Sequence, residues 1–184
     1  MTTNDPSIGP LAEFTALRAE ILQNNQNHNH VLTLQLTITG AILGIVVTGP
    51  SLRALALVIP VVSELLYLRF VTDVIETFEA ARYIRESLSP RVPGGLGWEE
   101  WSLHHARRKP GLGMTSMLLT FSGASMLGLA WAFDAVFHSA AIGSGMKAGL
   151  IALWVLGVAA TVHQTYSILR WKGYAKVVPA SPDC

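Results

Sequence analysis

The sequence predicts an all-α polytopic membrane protein, built from four transmembrane helices in two hairpins. Of its 184 residues, 51% are hydrophobic and 14% are charged, whereas soluble domains carry about 25% charged residues. The charged residues are clustered and leave four long segments almost free of them. Because apolar segments of about 18 residues or more are long enough to cross a bilayer, each of these segments is a candidate span.

The first hairpin organises the rest of the chain, because its helices are longer than a membrane requires. It folds at Gly49-Pro50-Ser51, where Ser51 is a candidate cap for the second helix. Each arm continues past its span as an amphipathic helix, which predicts a cytoplasmic stalk. The predicted spans are residues 31–48, 52–71, 114–137 and 148–169, and the stalk comprises residues 11–30 and 72–89. The predicted regions are a flexible tail (1–9), the long hairpin (10–90), a cytoplasmic or interfacial linker (91–112), the second hairpin (113–172) and a cytoplasmic tail (173–184).

Two apolar stripes predict that the stalk helices pack against each other in an antiparallel arrangement. The first stripe is Leu11, Phe14, Leu17, Ile21 and Leu22, and the second is Val74, Phe78, Ala81, Ile84 and Leu88. A polar stretch at residues 24–30 lies between the stalk and span 1. Because asparagine is a poor helix former, we expect the helix to fray or bend there.

Small residues and one proline predict where the spans pack closely and where one of them bends. Gly40 and Gly44 form a GxxxG pattern in span 1, and Ala124 and Gly128 have the same spacing in span 3. Such spacing lets another helix approach closely, either within the chain or from a second copy. Pro60 has no N–H to donate to the helix, which predicts a kink in span 2.

Positive charge predicts the orientation of the chain. Eleven lysine and arginine residues lie on the side that holds both termini and the linker, and two, Arg53 and Lys147, lie on the other side. Short cytoplasmic loops carry the excess of positive charge. Both termini and the stalk are therefore predicted to face the cytoplasm from a bacterial inner membrane.

Polar residues at one depth in all four spans are the principal candidate site. Glu64 lies about six residues, or roughly 10 Å, from the cytoplasmic end of span 2. His163 in span 4, Gln35 in span 1, and Thr120 with Ser122 in span 3 fall at a similar depth. Ionisable groups cost a few kcal/mol inside a bilayer. This polar layer either lines a water-filled path or gate, or is a hydrogen-bonded network that fixes helix register.

The histidines do not predict a metal or haem site. Asn27, His28 and His30 are expected to form a cytoplasmic rim of the membrane domain. No two histidines have the i, i+4 spacing that places two ligands on one helical face. His163 also lacks a second deep histidine with which to ligate haem. We therefore expect no metal and no cofactor.

Charged residues at the membrane boundaries have separate predicted roles. Asp134, near the outer end of span 3, is expected to pair with Lys147. Arg107, Arg108 and Lys109 lie in the linker and are expected to bind anionic lipid, or alternatively an anionic cytosolic ligand.

Other classes of function have little support in the sequence. No GxSxG, HExxH or SxxK signature is present, so an enzyme is not predicted. The single cysteine, Cys184, excludes a CxxC redox pair. A net charge of +1 without a basic face gives no reason to expect nucleic acid.

Three short motifs resemble a group of small bacterial four-span integral membrane proteins. They are Leu17-Arg18-Ala19-Glu20-Ile21, Tyr83-Ile84-Arg85-Glu86 and Gly97-Trp98-Glu99-Glu100-Trp101. The resemblance covers about residues 14–105 and implies a membrane architecture but no mechanism. The overall layout is also similar to pore-type membrane effectors of bacterial phage defence, in which a cytosolic signal opens a small oligomeric pore.

The leading functional hypothesis is a homo-oligomeric channel or pore-type protein, with a stalk that serves assembly or sensing. Four helices enclose no aqueous pore by themselves, so several copies are required. One alternative is a non-conducting anchor or assembly partner that docks a cytosolic protein. Another is a membrane enzyme or proton-coupled carrier that uses Glu64 and His163. The expected partners are membrane lipid and further copies of the chain, with a cytosolic protein or an anionic small molecule as further candidates.

Overall fold

The computed structural model describes residues 8–92, 94–97, 110–138 and 143–174. At residues 50, 110–112 and 171–174 it describes the backbone only. Within these ranges all regular structure is helical. The α-helices are α1 (Ile8–Val46), α2 (Val58–Tyr83), α3 (Pro110–Met117), α4 (Ala124–Phe137) and α5 (Ser144–Tyr174). A 3-10 helix (Pro50–Leu57) precedes α2, a π-helical segment (Ile84–Leu88) and a 3-10 turn (Ser89–Arg91) follow it, and a second π-helical segment (Leu118–Gly123) joins α3 to α4.

Four continuous helical stretches in the described ranges are long and apolar enough to cross a bilayer. They are Ile8–Val46, Ser51–Arg91, Gly113–Phe137 and Ser144–Arg170. This confirms the prediction of an all-α chain with four candidate spans. The hairpin pairing of the spans and the side of the membrane on which the stalk lies stay predictions.

The chain divides into two compact units, which we describe separately. Unit 1 comprises Met1–Val31 and Arg69–Arg108, and unit 2 comprises Leu32–Leu68 and Lys109–Cys184.

The core of unit 1 brings the first part of α1 against the end of α2 and the π-helical segment after it. Ile21, Ile84 and Leu88 are buried together, with Phe14 and Leu17 packed against them. The two predicted stripes therefore meet. Leu11, Leu22 and Phe78, however, are exposed, so their assignment to the stripes is wrong.

A row of buried and half-buried positions of α1 in unit 1 follows alternating steps of three and four residues, as in packed helices with a heptad repeat. They are Phe14, Leu17, Ile21, Asn24, His28 and Val31. Asn24 and His28 belong to this row, and α1 continues without interruption through residues 24–30. The predicted fraying there is wrong, because the packing of this row outweighs the weak helix propensity of asparagine.

The core of unit 2 forms where the 3-10 helix packs against α4. Its buried members are Val46, Ala56, Leu57, Ile59, Leu129, Ala132 and Val136, and Ala124 packs against them. A Cβ on Gly128 would lie 2.8 Å from the Ala56 carbonyl oxygen, so the predicted close approach at Gly128 occurs within the chain. The Ala56 carbonyl is the one to which Pro60 cannot donate.

The start of the second span differs from its prediction. The 3-10 helix begins at Pro50 after an extended Gly49, and no side chain caps it, so the assignment of Ser51 as the cap is wrong. A proline suits this first position because its missing N–H would be unpaired there in any case. The helix changes from 3-10 to α form at Val58, just before Pro60, where the sequence predicts a kink.

Candidate functional site

Gln35 connects three spans in unit 2. Its Nε2 donates hydrogen bonds to the Ser63 hydroxyl and, at 3.4 Å, to the Thr120 carbonyl. Gln35 and Ser63 are both buried. Residues from α1, α2 and the π-helical segment thus share one polar contact.

The π-helical segment Leu118–Gly123 supplies backbone carbonyls to this network. In a π-helix the backbone bonds span five residues instead of four, and such segments are frequent at functional sites. The Thr120 carbonyl accepts from Gln35, and the Phe121 carbonyl accepts from the Ser125 hydroxyl at 2.9 Å. Thr120 therefore contributes to the layer through its backbone. Ser122 is buried, and its hydroxyl has no hydrogen-bond partner among the described residues.

Glu64 and His163 form the most direct contact between ionisable groups of two spans. His163 Nδ1 lies 2.7 Å from Glu64 Oε1. One proton occupies this contact, on the imidazole when Glu64 is ionised and on the carboxyl when Glu64 is neutral. The Glu64 side chain is 18% exposed, whereas the His163 side chain is 55% exposed. The structure thus brings together the two ionisable residues that the sequence places at one depth.

Three further polar residues belong to the layer, and the sequence reasoning missed them. They are Ser63, Ser125 and Gln164, all of which are buried. Ser125 Oγ lies 3.3 Å from Gln164 Oε1 and joins α4 to α5. Hydroxyl and amide groups carry no charge, so they do not stand out in a search for ionisable residues. The available signal for two of them was that Ser63 precedes Glu64 and Gln164 follows His163 in the sequence.

A second polar cluster lies in unit 1, around His28. The His28 ring packs against Phe70 with centroids 4.8 Å apart, and its Nε2 is buried without a described hydrogen-bond partner. Burial lowers the pKa of His28, and the charge of Asp73 partly opposes that shift. Asp73 is fully buried and pairs with Arg69 at 2.8 Å. Neither carboxylate oxygen of Asp73 has a hydrogen-bond partner among the described residues, so its contact with Arg69 is an ion pair.

The other predicted site residues have different outcomes in the structure. His30 is exposed and Asn27 is half-buried, and the rim of the membrane domain stays a prediction. Arg107, Arg108 and Lys109 lie outside the described residues. Apart from the neighbouring backbone of α1 itself, no described atom lies within 4 Å of a Cβ built on Gly40 or Gly44, so no other described helix packs closely on these glycines.

Asp134 has a different partner from the predicted one. Arg53 Nη1 donates to Asp134 Oδ2 at 3.0 Å. Arg53 lies on the 3-10 helix that packs against α4, which brings the guanidinium to the carboxylate. The prediction that Asp134 pairs with Lys147 is therefore wrong.

Comparisons with protein-family models, with curated proteins and with solved structures find no match for this chain. Among the described residues, no group of three or more histidine, cysteine, aspartate or glutamate side chains is arranged to hold a metal ion.

Proposed function

We propose that the protein is a homo-oligomeric channel or pore-type membrane protein, in which the Glu64–His163 pair belongs to the conduction path or its gate. The observation that carries this proposal is the 2.7 Å contact between the two side chains together with the 55% exposure of His163. Ionisable residues inside a membrane almost always face a bundle interior or a water-filled cavity. In one copy of this chain, the His163 side chain is 55% exposed at the surface.

Additional copies of the chain would enclose the exposed His163 side chain. In the most apolar stretch of α5, only 11% of the residues are buried inside the chain. In the most apolar stretch of α1, 17% are buried. Both helices therefore have most of their surface available to neighbours. Gly40 and Gly44, on which no other described helix packs, would allow close helix contact between copies. The networks around Gln35 and Ser125 would hold the spans of each copy in register.

Ion flux from liposomes that contain the full-length protein tests this proposal. We expect flux from the wild type, and a changed rate and pH dependence for Glu64→Gln, because the shared proton is altered. Glu79→Gln, an exposed carboxylate of unit 1, is the matched control and should behave like the wild type. Absence of flux at every pH, combined with a monomer in native-like lipid, would contradict the proposal. A proton-coupled carrier would instead give saturable transport of one solute.

A docking function is the second candidate, and the exposed apolar side chains of unit 1 favour it. Phe78 is 56% exposed and Ile75 is 45% exposed, one helical turn apart on α2. Such a pair in water would gain from burial against another protein. A photo-crosslinker at position 78 in the full-length protein distinguishes the two functions. Crosslinks to a cytosolic protein, together with absence of flux, would support an anchor.

A further inference from the structure

A surface groove in unit 2 combines a cation, an anion and an aromatic side chain. It is lined by Arg53, Leu127, Ala130, Trp131 and Asp134 and has a volume of about 340 Å³. That volume lies at the lower end of the range for small-molecule sites, roughly 300–1,000 Å³. The groove lies where the 3-10 helix that opens the second span meets the end of the third.

Arg53 and Asp134 in the groove have further hydrogen-bonding atoms with which to contact a ligand. Arg53 uses Nη1 for Asp134, and a guanidinium has five N–H donors in all. Asp134 Oδ1 has His138 Nδ1 at 3.6 Å, beyond ordinary hydrogen-bond distance. Side-chain exposure is 38% for Arg53 and 66% for Asp134. Both groups can therefore accept a partner of opposite charge while they remain paired.

The apolar side of the groove points to a membrane ligand. Leu127 and Ala130 lie on α4, which continues from the groove into one of the candidate spans. Trp131 is the kind of residue that occupies the boundary between hydrocarbon and headgroups. A ligand seated here would place its polar part on the ion pair and its acyl chains along α4.

We propose that this groove binds the headgroup of a phospholipid that carries a primary ammonium, such as phosphatidylethanolamine. Arginine suits phosphate because its planar fork donates two parallel hydrogen bonds. The ammonium can donate N–H groups to the free oxygen of Asp134. A quaternary ammonium has no N–H to donate, and an anionic headgroup without a cation leaves Asp134 facing negative charge. This proposal is independent of the pore proposal.

Native mass spectrometry of the full-length protein in mild detergent tests the assignment. The probes are phosphatidylethanolamine, its N-methyl and N,N-dimethyl derivatives, phosphatidylcholine and phosphatidylglycerol, all with the same acyl chains. We expect the three lipids that keep an N–H to bind with similar affinity and phosphatidylcholine to bind about tenfold more weakly, which is the order expected for one charge-assisted hydrogen bond. Free phosphoethanolamine should bind far more weakly, because it lacks the chains that contact α4.

Variants test whether the preference for phosphatidylethanolamine over phosphatidylcholine arises at the groove. Asp134→Asn should abolish discrimination between phosphatidylethanolamine and phosphatidylcholine, whereas Asp134→Glu should retain it. Arg53→Gln should weaken both lipids equally, and Lys147→Gln, which does not line the groove, should change neither. Equal affinity of the wild type across the methylation series would overturn the proposal without any variant. A preference that survives in a folded Asp134→Asn protein would overturn it as well.

Discussion

Gly157 of α5 packs directly on the ring of Pro60 in α2. A Cβ built on Gly157 would lie 2.9 Å from Pro60 Cγ and 3.0 Å from Leu129 Cδ2. Real Cβ contacts are almost never so short, and a proline ring cannot rotate away. Gly157 is therefore a point at which α5 closely approaches α2 and α4.

We expect Gly157→Ala to destabilise the protein by about 1–3 kcal/mol, the usual cost of overpacking a well-packed core. In an exposed helix the same change stabilises by about 1 kcal/mol, so steric conflict reverses the sign here. Reversible unfolding in mixed micelles measures the difference. Gly149→Ala in the same helix is the control, because nothing lies within 4 Å of its Cβ. Equal effects at the two positions would show that the contact with Pro60 is looser than described.

The hydrogen bond between Gln35 and Ser63 should be measurable as a coupling energy. In a double-mutant cycle with Gln35→Leu and Ser63→Ala, we expect about 0.6 kcal/mol and at most about 1.7 kcal/mol, as for other bonds between membrane helices. Thr165→Val replaces Gln35→Leu in the control cycle, because Thr165 bonds to its own helix at the Thr161 carbonyl. A coupling energy near zero in the first cycle would remove Gln35 from the network.

Stability should fall on acidification because of His28. Burial holds the folded-state pKa of His28 below its value in the unfolded chain, which is about 6.5. Above that value the imidazole is neutral in both states and burial carries no charge penalty. As the pH falls below it, the unfolded chain binds the proton first, so stability is lost. Asp73 reduces this loss by stabilising the imidazolium.

Thermal unfolding measured between about pH 7.5 and pH 5, on either side of the histidine pKa, detects this effect. His28→Asn should flatten the part of the pH dependence that His28 causes. His30→Asn is the matched control, because His30 is exposed two residues away. If both variants kept the pH dependence of the wild type, His28 would not be the titrating group.

The sequence predicts depth in the membrane better than it predicts the direction in which a side chain points. Depth requires only the rise of about 1.5 Å per residue, and two contacts agree with it: Glu64 meets His163, and Gln35 meets Ser63, the neighbour of Glu64. Direction depends on the angle of each residue around its helix. A π-helical segment such as Leu118–Gly123 inserts an extra residue into a turn and shifts every later side chain. The sequence carries no signal for that insertion.

The row of buried and half-buried positions in unit 1 shows a second limit on what the sequence predicts. Phe14, Leu17 and Ile21 are apolar, so their stripe is visible in the sequence. Asn24 and His28 continue it with polar side chains, which resemble a break in the helix. Only the packing of the two helices reveals that these polar residues face inward. The same reasoning applies to Ser63 and Gln164.

Accessibility of α5 to water tests the central claim that the Glu64–His163 face lines an aqueous path. Leu156 and Val162 lie on α5, are 56% and 62% exposed, and point about 120° apart. Leu156 shares the face of His163, since seven residues separate them. In a Cys184→Ser background, each is replaced by cysteine and treated in lipid with a charged thiol reagent while flux is recorded. We predict that Leu156→Cys reacts and loses flux and that Val162→Cys does not; an unreactive Leu156→Cys, or equal reaction at both positions, would contradict the account.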